Sequence, residues 1–154
     1  MGAEELTVLD RGPSTAVVVS PSVDDTTIPQ WALPLIAKVD ALRLLRQGWD
    51  SRNAEPITSH AAATALNVMA AAMNPQAPMP VIAPNPDGGI VLEWIAPTFE
   101  IIVDVHPNGT ADSSMSVQGD DGELSPIWDG PWSGCHQAVR DVLYRAARHL
   151  EVHS

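Results

Sequence analysis

The chain has 154 residues, 45% of them hydrophobic, and a formal net charge of -11 at pH 7. That length and composition fit one domain with a real core, whereas the acidic balance speaks against binding nucleic acid or anionic membranes, which need a basic surface. Cys135 is the single cysteine, so an intramolecular disulfide and a cysteine zinc cage are excluded.

No apolar run approaches the ~20 residues of a membrane span, and Glu4 and Glu5 stand where a signal peptide would be basic. The expected location is the cytoplasm. Residues 1–28 read as a polar tail with one β-like run, Thr15-Ala16-Val17-Val18-Val19. This is a candidate edge strand, of the kind that can also pair with another chain. Residues 29–154 read as a single domain.

From Pro34 to Gln47, the residues Leu35, Ile36, Val39, Leu42 and Leu45 recur at helical spacing, with Pro34 in the first turn and Gly48 placed to end the helix. Arg43 and Arg46 suit the dipole at its end. Gly48 to Ile57 reads as a compact loop in which Trp49 pins to the core and Asp50 takes backbone amides. Thr58 or Ser59 caps a second helix running to about Met73, with Leu66, Met69 and Met73 on one face and alanines that allow close approach elsewhere. Asn74 to Pro86 contains Pro75, Pro78, Pro80, Pro84 and Pro86, which leaves room for at most one short edge strand, Val81 to Ala83.

Gly88 to Val117 is the segment the rest must pack on. Gly88-Gly89 opens it, Ala96-Pro97-Thr98 interrupts it and Pro107-Asn108-Gly109 turns it again, which predicts a three-stranded antiparallel meander. A first turn centred on residues 96 and 97 sets Trp94 opposite Phe99, Leu92 opposite Ile101 and Ile90 opposite Val103. At the second turn, a three-residue Pro-Asn-Gly loop with Gly109 left-handed keeps Ala111, Ser113, Met115 and Val117 on the apolar face. A two-residue loop would put Asp112 there instead.

The segments Gly48-Trp49-Asp50-Ser51-Arg52-Asn53-Ala54-Glu55-Pro56 and Pro84-Asn85-Pro86-Asp87-Gly88-Gly89-Ile90-Val91-Leu92-Glu93-Trp94 resemble a group of small uncharacterised bacterial proteins. That group carries a G-W-D-G-Y-G-A-x-P-like segment, a helix and a P-x-x-D-G-G-[IV]-x-L-E-W strand. The resemblance spans about Leu45 to Val105 and departs at Ser51-Arg52-Asn53, where the group has Gly-Tyr-Gly. It implies this architecture and a bacterial or phage origin, and it assigns no catalytic residue.

The other face of the meander carries Val91, Glu93, Ile95, Glu100, Ile102, Asp104, His106, Asp112 and Ser114. In the chosen register Glu93 faces Glu100 and Asp104 faces Asp112, like charges that destabilise a sheet unless solvent, a metal ion or a basic protein partner neutralises them, solvent being the usual case for a charged face. Further on, Gly119-Asp120-Asp121-Gly122-Glu123 reads as an exposed turn, because its spacing lacks the calcium-loop pattern. Ile127 to Gly134 leads into a last helix, about Ser133 to Leu150, with Val139, Val142, Leu143, Ala146 and Leu150 as its stripe. Trp128 and Trp132 either form an aromatic anchor for a partner or close the end of the core.

Cys135 and His136 fall in that helix's first turn, where the dipole would lower a thiol pKa. Adjacent helical side chains diverge, however, and cannot pair as nucleophile and base. His149 and His153 have metal-binding spacing but no third ligand. Phosphate-loop, dinucleotide, zinc-protease and serine-elbow signatures are absent.

The expectation is an α+β domain, an antiparallel β-meander of three to five strands covered on one face by three helices. The favoured reading is a non-enzymatic, antitoxin-, immunity- or inhibitor-like protein, or a subunit of a bacterial or phage defence assembly. It would bind a basic protein partner through Glu93, Ile95, Glu100, Ile102, Asp104 and Asp112, with Trp128 and Trp132 as further contacts and with no cofactor, metal, nucleic acid or membrane involved. The alternative is a small metal-dependent hydrolase using Glu100, Asp104, His106 and Asp112. A homo-oligomer through Thr15–Val19 or the two tryptophans is compatible with either.

Overall fold

The structure, a computed structural model, describes residues 28–153. The Thr15–Val19 run and the side chains of His149, Leu150 and His153 lie outside what it describes. Among the described residues three helices, α1 (Ala32–Leu42), α2 (Ser59–Ala72) and α3 (His136–His153), accompany five strands: β1 (Val81–Pro84), β2 (Ile90–Ala96), β3 (Phe99–Val105), β4 (Ala111–Gln118) and β5 (Leu124–Pro131). The strands form one antiparallel sheet in the order β1-β2-β3-β4-β5. This is the α+β meander that the sequence pattern predicts, with the full five strands.

Three of the four hairpins use the same turn. Asn85-Pro86-Asp87-Gly88-Gly89, His106-Pro107-Asn108-Gly109-Thr110 and Gly119-Asp120-Asp121-Gly122-Glu123 each close with a backbone bond from the first residue's N–H to the fifth residue's carbonyl, at 2.9, 2.8 and 2.9 Å. In each, the fourth position is a glycine at positive φ, +98°, +90° and +83°, and the third is an Asp or Asn whose Oδ1 accepts from the fifth residue's N–H at 2.8, 3.0 and 2.9 Å. A left-handed residue there lets a three-residue loop follow the strand twist, and glycine takes it without steric cost.

The β3–β4 register is the predicted one: Ile101 pairs with Met115, Val103 with Ser113 and Asp104 with Asp112. The β2–β3 register is corrected. Its loop is Pro97-Thr98, so Trp94 lies opposite Ile101, Leu92 opposite Val103 and Ile90 opposite Val105. Glu93 therefore faces Ile102 and not Glu100, whose partner is Ile95. Pro97 suits the first loop position because its fixed φ is the one that turn needs. Since each partner moves by two residues, every side chain keeps its predicted face.

The inner face is the core. Ile90, Leu92, Trp94, Ile101, Val103 and Met115 pack with Leu35 and Val39 of α1, with Ala61, Ala65, Val68 and Met69 of α2, and with Val139 and Leu143 of α3. The buried alanines of α2 allow the close approach read from the sequence. Thr58 is its cap: Oγ1 accepts from the Ala61 N–H at 3.0 Å and also donates to the Pro107 carbonyl at 2.6 Å. Together with Thr64 Oγ1 to the Gly109 carbonyl (2.8 Å) and the Thr58 N–H to the Gly88 carbonyl (3.1 Å), this fastens the start of α2 to two of the hairpin turns.

Three other expectations change. α1 stops at Leu42, short of Gln47, because its bonds tighten to three-residue spacing (Leu44 N–H to Ala41, Leu45 N–H to Leu42), which leaves Leu44 exposed and Leu45 packed on the core. α3 starts at His136 after a short 3-10 turn, Trp132–Gly134, rather than at Ser133. β5 was expected only as a lead-in. It is an edge strand with a bulge, Met115 pairing with Trp128 and Ser116 with Pro126, so that Ile127 is the extra residue. Pro126 and Pro131, which lack an N–H, are tolerated on an edge.

Candidate functional site

The 48–57 loop holds together much as its composition implies. Asp50 Oδ1 accepts from the Arg52 and Ala54 N–H groups at 2.8 and 3.2 Å, and Ser51 sits at φ 67°, the one described non-glycine residue with positive φ. A left-handed backbone at this position costs a residue with a side chain more than it would cost glycine. Trp49 does not pin to the core as expected. Its indole N–H instead donates to the Glu55 carbonyl at 2.8 Å, and the loop reaches the β1–β2 turn through the Glu55 N–H to the Pro86 carbonyl at 2.8 Å. The 48–57 loop and the β1–β2 turn are thus hydrogen-bonded neighbours.

On the outer face of the sheet the predicted residues come together. Strand alternation sends Val91, Glu93 and Ile95 of β2, Glu100, Ile102 and Asp104 of β3, and Asp112, Ser114 and Ser116 of β4 to the side away from the helices. Pairing adds Val81 and Ala83 of β1, beside Glu93 and Val91, and Asp129 of β5, beside Ser114. Ile95 and Val81 are each 59% exposed, and the other β2 and β3 residues of this face are half-buried. From Asn53 to Val139 the chain contains no Lys or Arg, so neither does this face.

At one corner His106 Nε2 meets Asp112 Oδ2 at 2.8 Å. The hydrogen bond to Asp112 raises the His106 pKa above its ordinary 6.5, aided by the charges of Asp104, Asp112 and Asp87 and opposed by burial. Although Glu100, Asp104, His106 and Asp112 share the face, among the described residues no three His, Cys, Asp or Glu side chains are grouped closely enough to hold a metal ion.

Trp128 and Trp132 are not brought onto the acidic face. Both are half-buried against the core. Trp128 lies on the helix side, paired with Met115, and its ring covers the Gly134 backbone so closely that a Cβ there would fall 2.6 Å from Cη2. Its indole N–H donates to Ser113 Oγ at 3.1 Å; that hydroxyl also reaches the Gly130 carbonyl at 3.2 Å and Cys135 Sγ at 2.9 Å. Ser113, 4% exposed, thereby joins β4, β5 and the entry to α3. Cys135 is equally enclosed, and burial pushes its thiol up, outweighing the lowering effect of Ser113. The low-pKa thiol expected from the helix dipole is therefore not present.

Sequence reasoning missed Val81 and Asp129 as members of the face. Val81 needed the β1–β2 register, which no periodicity fixes over four residues, and Asp129 needed β5, whose exposed, proline-bearing run shows no alternation. Compared with protein-family models, with curated proteins and with solved structures, the chain finds no match in any of the three.

Proposed function

We propose that this is a non-enzymatic interaction protein of the antitoxin, immunity or inhibitor kind, or a subunit of a bacterial or phage defence assembly, that binds a basic protein partner through the outer face of its sheet. The observation that supports this reading is the composition of that face: carboxylates interleaved with half-exposed aliphatic side chains, on strands without a Lys or Arg. Like charges in register such as Asp104 opposite Asp112, of which Asp112 alone meets His106, are relieved further by a cationic partner, and a field of one sign steers its approach.

A cytoplasmic setting belongs to the same proposal; among the described residues no helix is long and apolar enough to cross a membrane. The test is capture of the partner with the full chain in low and high salt, repeated with the Glu100→Lys, Asp104→Lys double variant. The complex should be salt-sensitive and at least severalfold weaker with the variant. Unchanged affinity would remove this face from consideration.

A further inference from the structure

The grain of the outer face says what kind of surface can cover it, provided the face is the interaction surface proposed above. On β2 and β3 apolar and acidic residues alternate in both directions. Across the pair Val91 faces Asp104, Glu93 faces Ile102 and Ile95 faces Glu100. Along the strands the outward residues read Val91, Glu93, Ile95 and Glu100, Ile102, Asp104.

Paired neighbours stand about 5 Å apart and same-face neighbours along a strand about 7 Å apart. Ile102 is therefore bounded by Glu93 across the pair and by Glu100 and Asp104 along its strand. Ile95 has Glu93 and Glu100 beside it, and Val91 has Glu93 and Asp104. An apolar ridge laid on Ile102 would bury three carboxylates without partners, which is costly. A compact cation would satisfy a carboxylate and leave the aliphatic side chains wet.

A long cationic side chain answers both needs, because its methylene stem covers an apolar group while its charged head reaches an acid a few ångströms further on. Arginine adds a planar fork that takes a carboxylate with two hydrogen bonds. We infer that the β2–β3 face receives an arginine- or lysine-rich segment of a protein partner, its stems lying on Val91, Ile95 and Ile102 and its heads on Glu93, Glu100 and Asp104. The strands offer no Lys or Arg to compete, and His106 is already engaged by Asp112.

The test titrates the full chain with nine-residue homopolymers of arginine, lysine and 2,4-diaminobutyrate, which carry the same formal charge on stems of three, four and two methylenes. Binding should be tightest for nona-arginine, whose fork adds paired hydrogen bonds, and should weaken at least about tenfold from the lysine to the diaminobutyrate polymer, on the order of the burial of two methylenes. Ile102→Ser and Ile95→Ser should each weaken nona-arginine roughly fivefold, and Glu93→Gln or Glu100→Gln should also flatten its salt dependence. Ile95 is the more exposed of the two, so its variant keeps the test decisive if Ile102→Ser melts.

Equal affinity for all three polymers, indifferent to both serine variants, would overturn the stem-and-head arrangement while leaving a basic partner standing. Tighter binding of a leucine-ridged amphipathic helix than of nona-arginine would overturn it in favour of that occupant. Absence of binding to any polymer in low salt would overturn both the inference and the proposed function.

Discussion

On the helix side of the sheet, Leu92, Ile101 and Val103 are fully buried and Trp94 and Met115 nearly so, while one peptide unit away on the same strands Glu93, Ile95, Glu100 and Ile102 are half-buried or exposed. The two faces share a backbone, a register and a twist. They differ in what covers them, and the residue types follow: aliphatic and aromatic on one side, a fine mixture of aliphatic and carboxylate on the other. An outer face that only had to be wet would carry Lys and Thr as readily as Ile95 and Ile102, and both signs of charge. This face carries one sign, and the aliphatic groups sit among the charges rather than apart from them.

The contrast between the two faces is tested most severely by truncating adjacent residues on β2. Trp94→Ala removes a side chain 1% exposed, whose indole N–H donates to the Pro78 carbonyl at 3.0 Å. It should cost about 3–5 kcal/mol in a denaturant melt. Ile95→Ala, on the other face, should stay within about 0.5 kcal/mol. A large loss at Ile95 would mean that the outer face is covered within the chain itself.

Next in size is Ser113, the one buried polar side chain among the described residues. Ser113→Ala leaves the Trp128 indole N–H and the Cys135 thiol without the hydroxyl they share, which should cost about 1–3 kcal/mol. Near-UV circular dichroism should report a loosened Trp128. A neutral effect would mean that the hydroxyl is an incidental neighbour rather than the joint between β4, β5 and α3.

How much of this was legible depended on whether one residue type could decide a geometry alone. Gly109 after Pro107-Asn108 fixed the β3–β4 loop, and with it the faces of Ser113 and Met115, because the alternative loop would have buried Asp112. Thr58 ahead of an alanine run marked the start of α2. The β2–β3 register was not readable from hydrophobicity, since both candidate registers place Leu92 and Trp94 against apolar partners on β3. Only Pro97 distinguishes them. β5 was invisible because an edge strand with two prolines and a bulge at Ile127 has no period to detect. The interaction face was legible as a list of residues, but its two-dimensional alternation needed the corrected register: with Glu93 opposite Glu100 the acids would have formed a block, not a checkerboard.

That alternation makes Asp104 opposite Asp112 the exception on the face, two acids in direct register. Asp104→Asn should stabilise the isolated protein by roughly 0.2–1 kcal/mol, the range for like charges across a sheet, while weakening a cationic partner. Destabilisation would show that Asp104 is already paired within the chain and is not available for binding.

The smallest effect separates the corner from the rest of the face. His106 gains a partner in Asp112 on folding, so its folded pKa lies above the ordinary 6.5. Below 6.5 the imidazole is protonated in both the folded and unfolded states, and the stabilisation from the pair is fully present. As pH rises through the raised folded value the folded protein also loses the proton, and the contribution disappears. Because both side chains are substantially solvent-exposed, at 33% and 64%, screening keeps the effect modest. Thermal melts of the wild type and His106→Gln should therefore differ most in mildly acid buffer and converge above neutrality. A gap that widened with pH would mean that the neutral imidazole makes the important contact, and the corner would then belong to the hairpin's packing rather than to the charge pattern of the face.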